Sequence, residues 1–145
     1  MYIRALTFKG VSYAELGQYN KAIMLFQKII EIKKQLKVNH AFEHNKIGNV
    51  YYRKIKDYKM ALQYYLEAVR INALKNSKTT DELGFFRRNL GFAYYKNSND
   101  EQALKNFKES KIVFESLDDK ANFLEVLKGL TEWINYLEQK LLENK

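Results

Sequence analysis

The chain has 145 residues, 46% hydrophobic and 29% charged, with a formal charge of +8; this is ordinary globular usage and excludes a disordered polymer. Proline and cysteine are absent and glycine numbers only 6, which excludes collagen-like and turn-dense all-β chains, disulfides, thiolate metal sites and cysteine nucleophiles. No stretch approaches the ~18 apolar residues of a membrane span and no secretion signal is visible, so no membrane partner is expected and the expected compartment is the cytoplasm.

Helical period runs through the whole chain. Tyr19, Ala22, Ile23, Phe26, Ile29, Ile30 and Ile32 recur at steps of three and four residues, as do Ala61, Leu62, Tyr65, Ala68, Val69 and Ile71. Strong helix formers surround them and no proline interrupts them. Breaks fall at Gly17-Gln18, Lys37-Val38-Asn39, Lys56-Asp57, Asn76-Ser77, Asn97-Ser98-Asn99 and Leu117-Asp118-Asp119, which predicts seven helices. Asn99 or Asp100, and Asp118 or Asp119, have the side chains that accept the free amides of a first helical turn. The charge is uneven: residues 1–78 carry 15 Lys/Arg against 5 Asp/Glu, and residues 79–145 carry 10 against 12. Such a surplus suits either a solvated basic face or an acidic partner.

The chain repeats itself. Leu6-x-x-Lys9-Gly10-x-x-Tyr13 aligns with His44-x-x-Ile47-Gly48-x-x-Tyr51 and with Arg87-x-x-Leu90-Gly91-x-x-Tyr94. Each is followed by a turn and then a small residue with an aromatic four positions on: Ala22 with Phe26, Ala61 with Tyr65, Ala103 with Phe107. Small residues let two helices approach, and the aromatic rings fill the space between them. From Asp118 onward the pattern is partial. Gly129 keeps the register, Glu132 stands where the tyrosine belongs, and Phe123, Leu127, Leu130, Ile134, Leu137 and Leu141 form one apolar stripe, as expected of an end helix covering the last repeat. At the other end, Met1 lies almost inside the first helix with no capping residue before it, which points to an excised piece of a longer protein or a frayed first turn.

These motifs resemble the tetratricopeptide repeat, W-x-x-L-G-x-x-Y followed by A-x-x-x-F and P. The tryptophan position holds Leu6, His44 and Arg87, and the terminal proline is missing. The glycines step by 38, 43 and 38 residues, which is similar to the long-repeat subclass, of about 40 residues, seen in kinesin light chains and Rap-type peptide receptors. The resemblance implies an all-α, right-handed α-solenoid: one domain over residues 1–145, with helix pairs at about 2–37, 39–75 and 79–117 and a capping helix at about 118–144. It implies a non-enzymatic module that binds a protein or an extended peptide along a concave groove, without cofactor or metal, and positive charge in that groove favours an acidic peptide. On that register the first helix of each repeat lines the groove, which places there Arg4 with Thr7, Val11, Ala14 and Glu15; Asn45, Asn49, Tyr52 and Arg53 with Phe42; and Arg88, Phe92, Tyr95 and Lys96 with Phe85. An asparagine amide can bond a peptide N–H and C=O at once.

Alternatives follow from the same residues. Members of the family that clamp a C-terminal carboxylate use five polar positions, of which Asn49 and Arg88 match two while Thr7, Val11 and Phe92 occupy the rest, so a chaperone-tail clamp is not expected. A Rap-type peptide-sensing receptor domain is the main alternative function, and nucleic-acid binding through the basic half is a less favoured third, since its charges are spread over many helix faces. His40-Ala-Phe-Glu43-His44 fits the H-x-x-E-H zinc-protease pattern, but these are the only two histidines and His44 occupies a packing position of the repeat.

Overall fold

The computed structural model describes residues 2–74 and 80–145, with helices joined by short connections and no strand among the described residues. Seven α-helices lie among them: α1 (Tyr2–Glu15), α2 (Tyr19–Gln35), α3 (Ala41–Asn49), α4 (Tyr58–Ala73), α5 (Asp81–Lys96), α6 (Asp100–Glu115) and α7 (Leu124–Glu143). A π-helical segment, Val50–Ile55, continues α3, and a 3-10 turn, Lys120–Phe123, precedes α7. The expected break at Asn76-Ser77 lies outside the described residues. The chain forms two compact units, Met1–Lys75 and Asn76–Lys145.

In the first unit α1 packs on α2, α3 on α4, and α2 on α3. Its core holds Ala14, Ala22, Phe26, Ile29, Ile47 and Val50, with Tyr13, Tyr51 and Tyr64 packed around it. A methyl group on Gly10 would stand 2.8 Å from the Phe26 ring, and one on Gly48 would stand 2.6 Å from the Tyr65 ring. Each glycine is therefore the hollow into which the aromatic of the next helix fits. Ala22 and Ala61, the small residues four positions before those aromatics, are fully buried.

The second unit repeats the device. The Phe107 ring occupies the space over Gly91, at 2.7 Å from where a methyl would be. A further pair, Gly84 with Phe114, closes the other end of the α5–α6 contact at the same distance, and Ser110 Oγ donates to the Gly84 carbonyl at 2.7 Å. Gly129 has nothing within 4 Å of where a methyl would be, among the described residues. Instead α7 lays Leu130, Ile134 and Leu137 against α6 and buries them, as the apolar stripe predicts.

The turns inside the three helix pairs reach a left-handed residue at the same place: Gly17 (φ 80°), Lys56 (φ 64°) and Ser98 (φ 62°). At α1 and α5 the next amide closes the helix onto the repeat's tyrosine, Gln18 N–H to Tyr13 at 2.8 Å and Asn99 N–H to Tyr94 at 2.9 Å. Asn99 also caps α6 by accepting from the Gln102 amide at 3.2 Å, as expected, and Asp57 caps α4 by accepting from Met60 at 3.1 Å. Neither Asp118 nor Asp119 caps α7. The 3-10 turn intervenes, and the helix opens after Phe123 with no side-chain cap.

Candidate functional site

The π-helical segment sets the site in the first unit. From the repeat glycine to the left-handed turn residue is seven positions for Gly10–Gly17 and for Gly91–Ser98, but eight for Gly48–Lys56. The additional residue is absorbed as a π turn, so the closing bond runs from Asp57 N–H to Tyr51 O at 3.0 Å, one residue longer than its counterparts. Residues after the insertion are rotated by about one helical step, roughly 100°, from the plain α-helical register.

A cleft of about 130 Å³ opens beside this segment, lined by Val11, Ala14 and Glu15 of α1, Phe26 of α2, and Lys46, Asn49, Val50, Arg53 and Lys54. Val11, Phe26 and Val50 are its apolar lining, and Lys46, Arg53 and Lys54 outnumber Glu15 among its charged groups. Asn49 is fixed in place: its Oδ1 accepts from the buried Tyr65 hydroxyl at 2.7 Å. With that acceptor engaged, the Asn49 NH2 is the group most readily offered to a ligand carbonyl or carboxylate. Lys54 reaches Glu15 at 3.7 Å, and Lys46 sits 4.9 Å from the centre of the Phe42 ring.

Of the expected groove residues in this unit, Asn49 and Arg53 line the cleft together with Val11, Ala14 and Glu15. Arg4 is exposed on α1, and Thr7 donates its hydroxyl to the Ile3 carbonyl at 3.0 Å. Asn45 is buried within α3. The Tyr52 ring lies 5.2 Å from Tyr58 and 6.3 Å from Tyr65, in the α3–α4 contact. Lys46 and Lys54 belong to the cleft and were not anticipated; for Lys54 the signal was the count of seven, eight and seven.

In the second unit Arg88 stacks its guanidinium 5.0 Å from the centre of the Phe85 ring. Phe92 packs edge-to-face on Phe107 at 4.9 Å and on Trp133 at 5.4 Å. Tyr95 meets Trp133 at 5.0 Å, and Lys96 is exposed at the end of α5. The phenol of Tyr95 is pushed above its usual range, first by its hydrogen bond with Tyr136 and then by burial.

The His40–Glu43–His44 pattern has another use. Glu43 is buried and accepts from Lys33 Nζ at 2.7 Å, an ion pair that ties α2 to α3. His44 packs at 5.3 Å from the His40 ring and 6.1 Å from Tyr64, with both ring nitrogens buried and, among the described residues, lacking a hydrogen-bond partner. Its pKa falls from 6.5 to about 4, chiefly through burial and then through the charge of His40. Among the described residues no group of three His, Cys, Asp or Glu is placed to hold a metal.

Paired helices joined by short turns, with a glycine-aromatic lock in each pair, define a helical-repeat scaffold. The chain belongs to the tetratricopeptide repeat family, whose profile matches residues 2–74, and like that family it is a non-enzymatic scaffold. No curated protein matches it in sequence. The fold is similar to that of the TPR2AB domain of yeast Sti1 in its pHSP90 complex, with a TM-score of 0.73 at 15% identity over 99% of this chain and 48% of that one. It is similar also to the N-terminal domain of stress-induced protein-1 (STI-1) from C. elegans, at 0.70 and 18% identity over 91% of this chain and 94% of the other. BtubC (BKLC) from P. vanneervenii is a third, at 0.69 and 13% identity over 96% of this chain and 64% of that one. The chain thus spans about half the length of the Sti1 structure. Among the described residues no helix is long and apolar enough to cross a membrane.

Proposed function

We propose that this scaffold binds an extended peptide or protein segment, and that the cleft beside α1 and the π-helical segment takes an acidic side chain or a free carboxylate from it. The observation that carries this reading is the anchored Asn49 amide beside Arg53 and Lys46 in a cleft with an apolar lining. A carboxylate accepting from an amide N–H and a guanidinium in a partly enclosed cleft forms charge-assisted bonds, about twice as strong as neutral ones. The surplus of basic residues in positions 1–78 would raise the encounter rate with an acidic ligand. The Sti1 structure is of a complex with pHSP90, which supports a peptide or protein ligand without naming one for this chain.

Calorimetry with acidic peptides ending in a free carboxylate tests the reading. Asn49→Ala is expected to weaken binding by roughly fivefold to a hundredfold, because buried polar groups lose their partner. Arg53→Glu is expected to weaken it more at low salt than at high salt, and Arg53 is exposed, so this variant carries the test even where Asn49→Ala loosens α3. Lys105→Glu, exposed on α6, is the control. Equal affinity in Asn49→Ala, Arg53→Glu and the parent chain, or a larger loss in the control, would place the binding surface elsewhere. A peptide-sensing receptor would differ from a plain scaffold by changing shape as the ligand binds, which small-angle scattering during the same titration would read. Tight, steeply salt-dependent binding of mixed nucleic acid would favour the third reading.

A further inference from the structure

The second unit has a cavity of about 240 Å³ lined by Tyr95 of α5 and by Glu132, Trp133 and Tyr136 of α7. Its three rings stand nearly at right angles to one another. Tyr95 and Trp133 are inclined at 68°, Trp133 and Tyr136 at 88°, and Tyr95 and Tyr136 at 74°, with centroids 5.0, 5.7 and 6.4 Å apart. The Trp133 ring is locked from behind by Phe92 at 5.4 Å and Phe107 at 5.8 Å, so this wall is rigid before any ligand arrives. Tyr136 is 49% exposed, which leaves the cavity open to solvent.

Aromatic faces carry negative charge density and attract a cation placed over them. The Tyr95 ring already has a cation near it: the Lys140 ammonium, held by Asp100 at 2.8 Å, lies 5.4 Å from its centre. Glu132 adds a full negative charge to the lining, and residues 79–145 carry more acid than base. A bare ammonium entering here would give up water for few acceptors, leaving N–H donors unpaired. A methylated ammonium has few or no N–H donors to satisfy, and its methyl groups suit aromatic walls.

We propose that this cavity binds a methylated ammonium group, carried either by a methylated lysine side chain or by a choline headgroup. Nothing in this depends on the acidic-peptide cleft of the first unit.

Trp133 is the only tryptophan in the chain, so its fluorescence reports on this cavity directly. Titration of the whole chain with choline is expected to give a saturable change, whereas the uncharged carbon isostere 3,3-dimethylbutan-1-ol is expected to give none. Tyr136→Ala should weaken choline binding about tenfold and Glu132→Gln about threefold, with far-ultraviolet circular dichroism unchanged. Both positions are exposed, and the Glu132 variant keeps the test intact where Tyr136→Ala perturbs packing. Acetylated trimethyllysine amide and phosphorylcholine, compared in the same assay, separate the two sources by which binds more tightly. No saturable change with any of the methylated ammonium probes, an equal response to the isostere, or unaltered binding in both variants would overturn the proposal.

Discussion

In the first unit polar contacts accompany the glycine-aromatic locks: Tyr65 donates to Asn49, and the helices that carry Phe26 and Ile47 are tied by the buried Lys33–Glu43 pair. In the second unit the equivalent ring, Phe107, meets Phe92 and Trp133, while Phe114 meets Phe85 and Phe123. The glycine-aromatic lock is common to both, because it alone decides how closely two helices approach. The residues around the lock are free to differ, and the difference gives one unit a cationic, amide-based cleft and the other an aromatic cavity with a carboxylate. A shared repeat therefore fixes the backbone and leaves the ligand chemistry to its neighbours.

The sharpest contrast is in the ion pairs. Lys33→Met leaves Glu43 buried without its partner and is expected to cost about 3–5 kcal/mol. Lys108→Met in the second unit breaks an exposed contact with Glu138, at 3.9 Å, and should cost no more than about 1 kcal/mol. Urea denaturation compares the two; equal losses would mean that the first unit owes nothing special to its buried charge. Next come the glycines. Gly91→Ala pushes a methyl against the Phe107 ring, and after the gain in helix propensity a net loss of about 1–2 kcal/mol is expected. Gly129→Ala, at the same register position but facing open space, should instead gain about 0.5–1 kcal/mol. Losses of the same size at both positions would mean that α7 begins a full fourth repeat.

A further effect is one of pH. Burial holds the folded-state pKa of His44 at about 4 against the usual 6.5, so between these values the unfolded chain binds the proton and the folded chain resists it. Stability from this site is complete above about pH 6.5 and is lost as pH falls toward 4. His40, Lys34 and Arg70 act with burial, and Glu67 opposes them. His44→Leu, which restores the residue type found at Leu6, should flatten the fall of Tm over that window. A slope unchanged in the variant would assign the acid sensitivity to other groups.

Much of the scaffold was legible in the sequence because the lock is written locally: a glycine three residues before a tyrosine, then an alanine four residues before an aromatic ring. The groups that tune the surface were less legible because they depend on which helices become neighbours. Lys33 and Glu43 are ten positions apart and meet only once α2 lies on α3. Trp133 and Tyr136 line a cavity only once α7 brings them to Tyr95. Gly84 has its partner, Phe114, at the far end of α6, outside the spacing that marks the repeat. The π turn could have been counted, since one residue too many separates Gly48 from its turn, but its effect on Arg53 and Lys54 follows only from the helix geometry.

The measurement that bears most directly on the contrast between the units is a nitrogen-resolved NMR titration of the whole chain with two probes in turn, an acidic peptide ending in a free carboxylate and choline. The acidic peptide is expected to move the signals of Asn49 and Arg53 and leave the Trp133 indole unshifted, while choline is expected to move the indole and leave Asn49 unshifted. Both probes shifting the same set of signals, or neither shifting any, would contradict the assignment of opposite ligand chemistries to the two units.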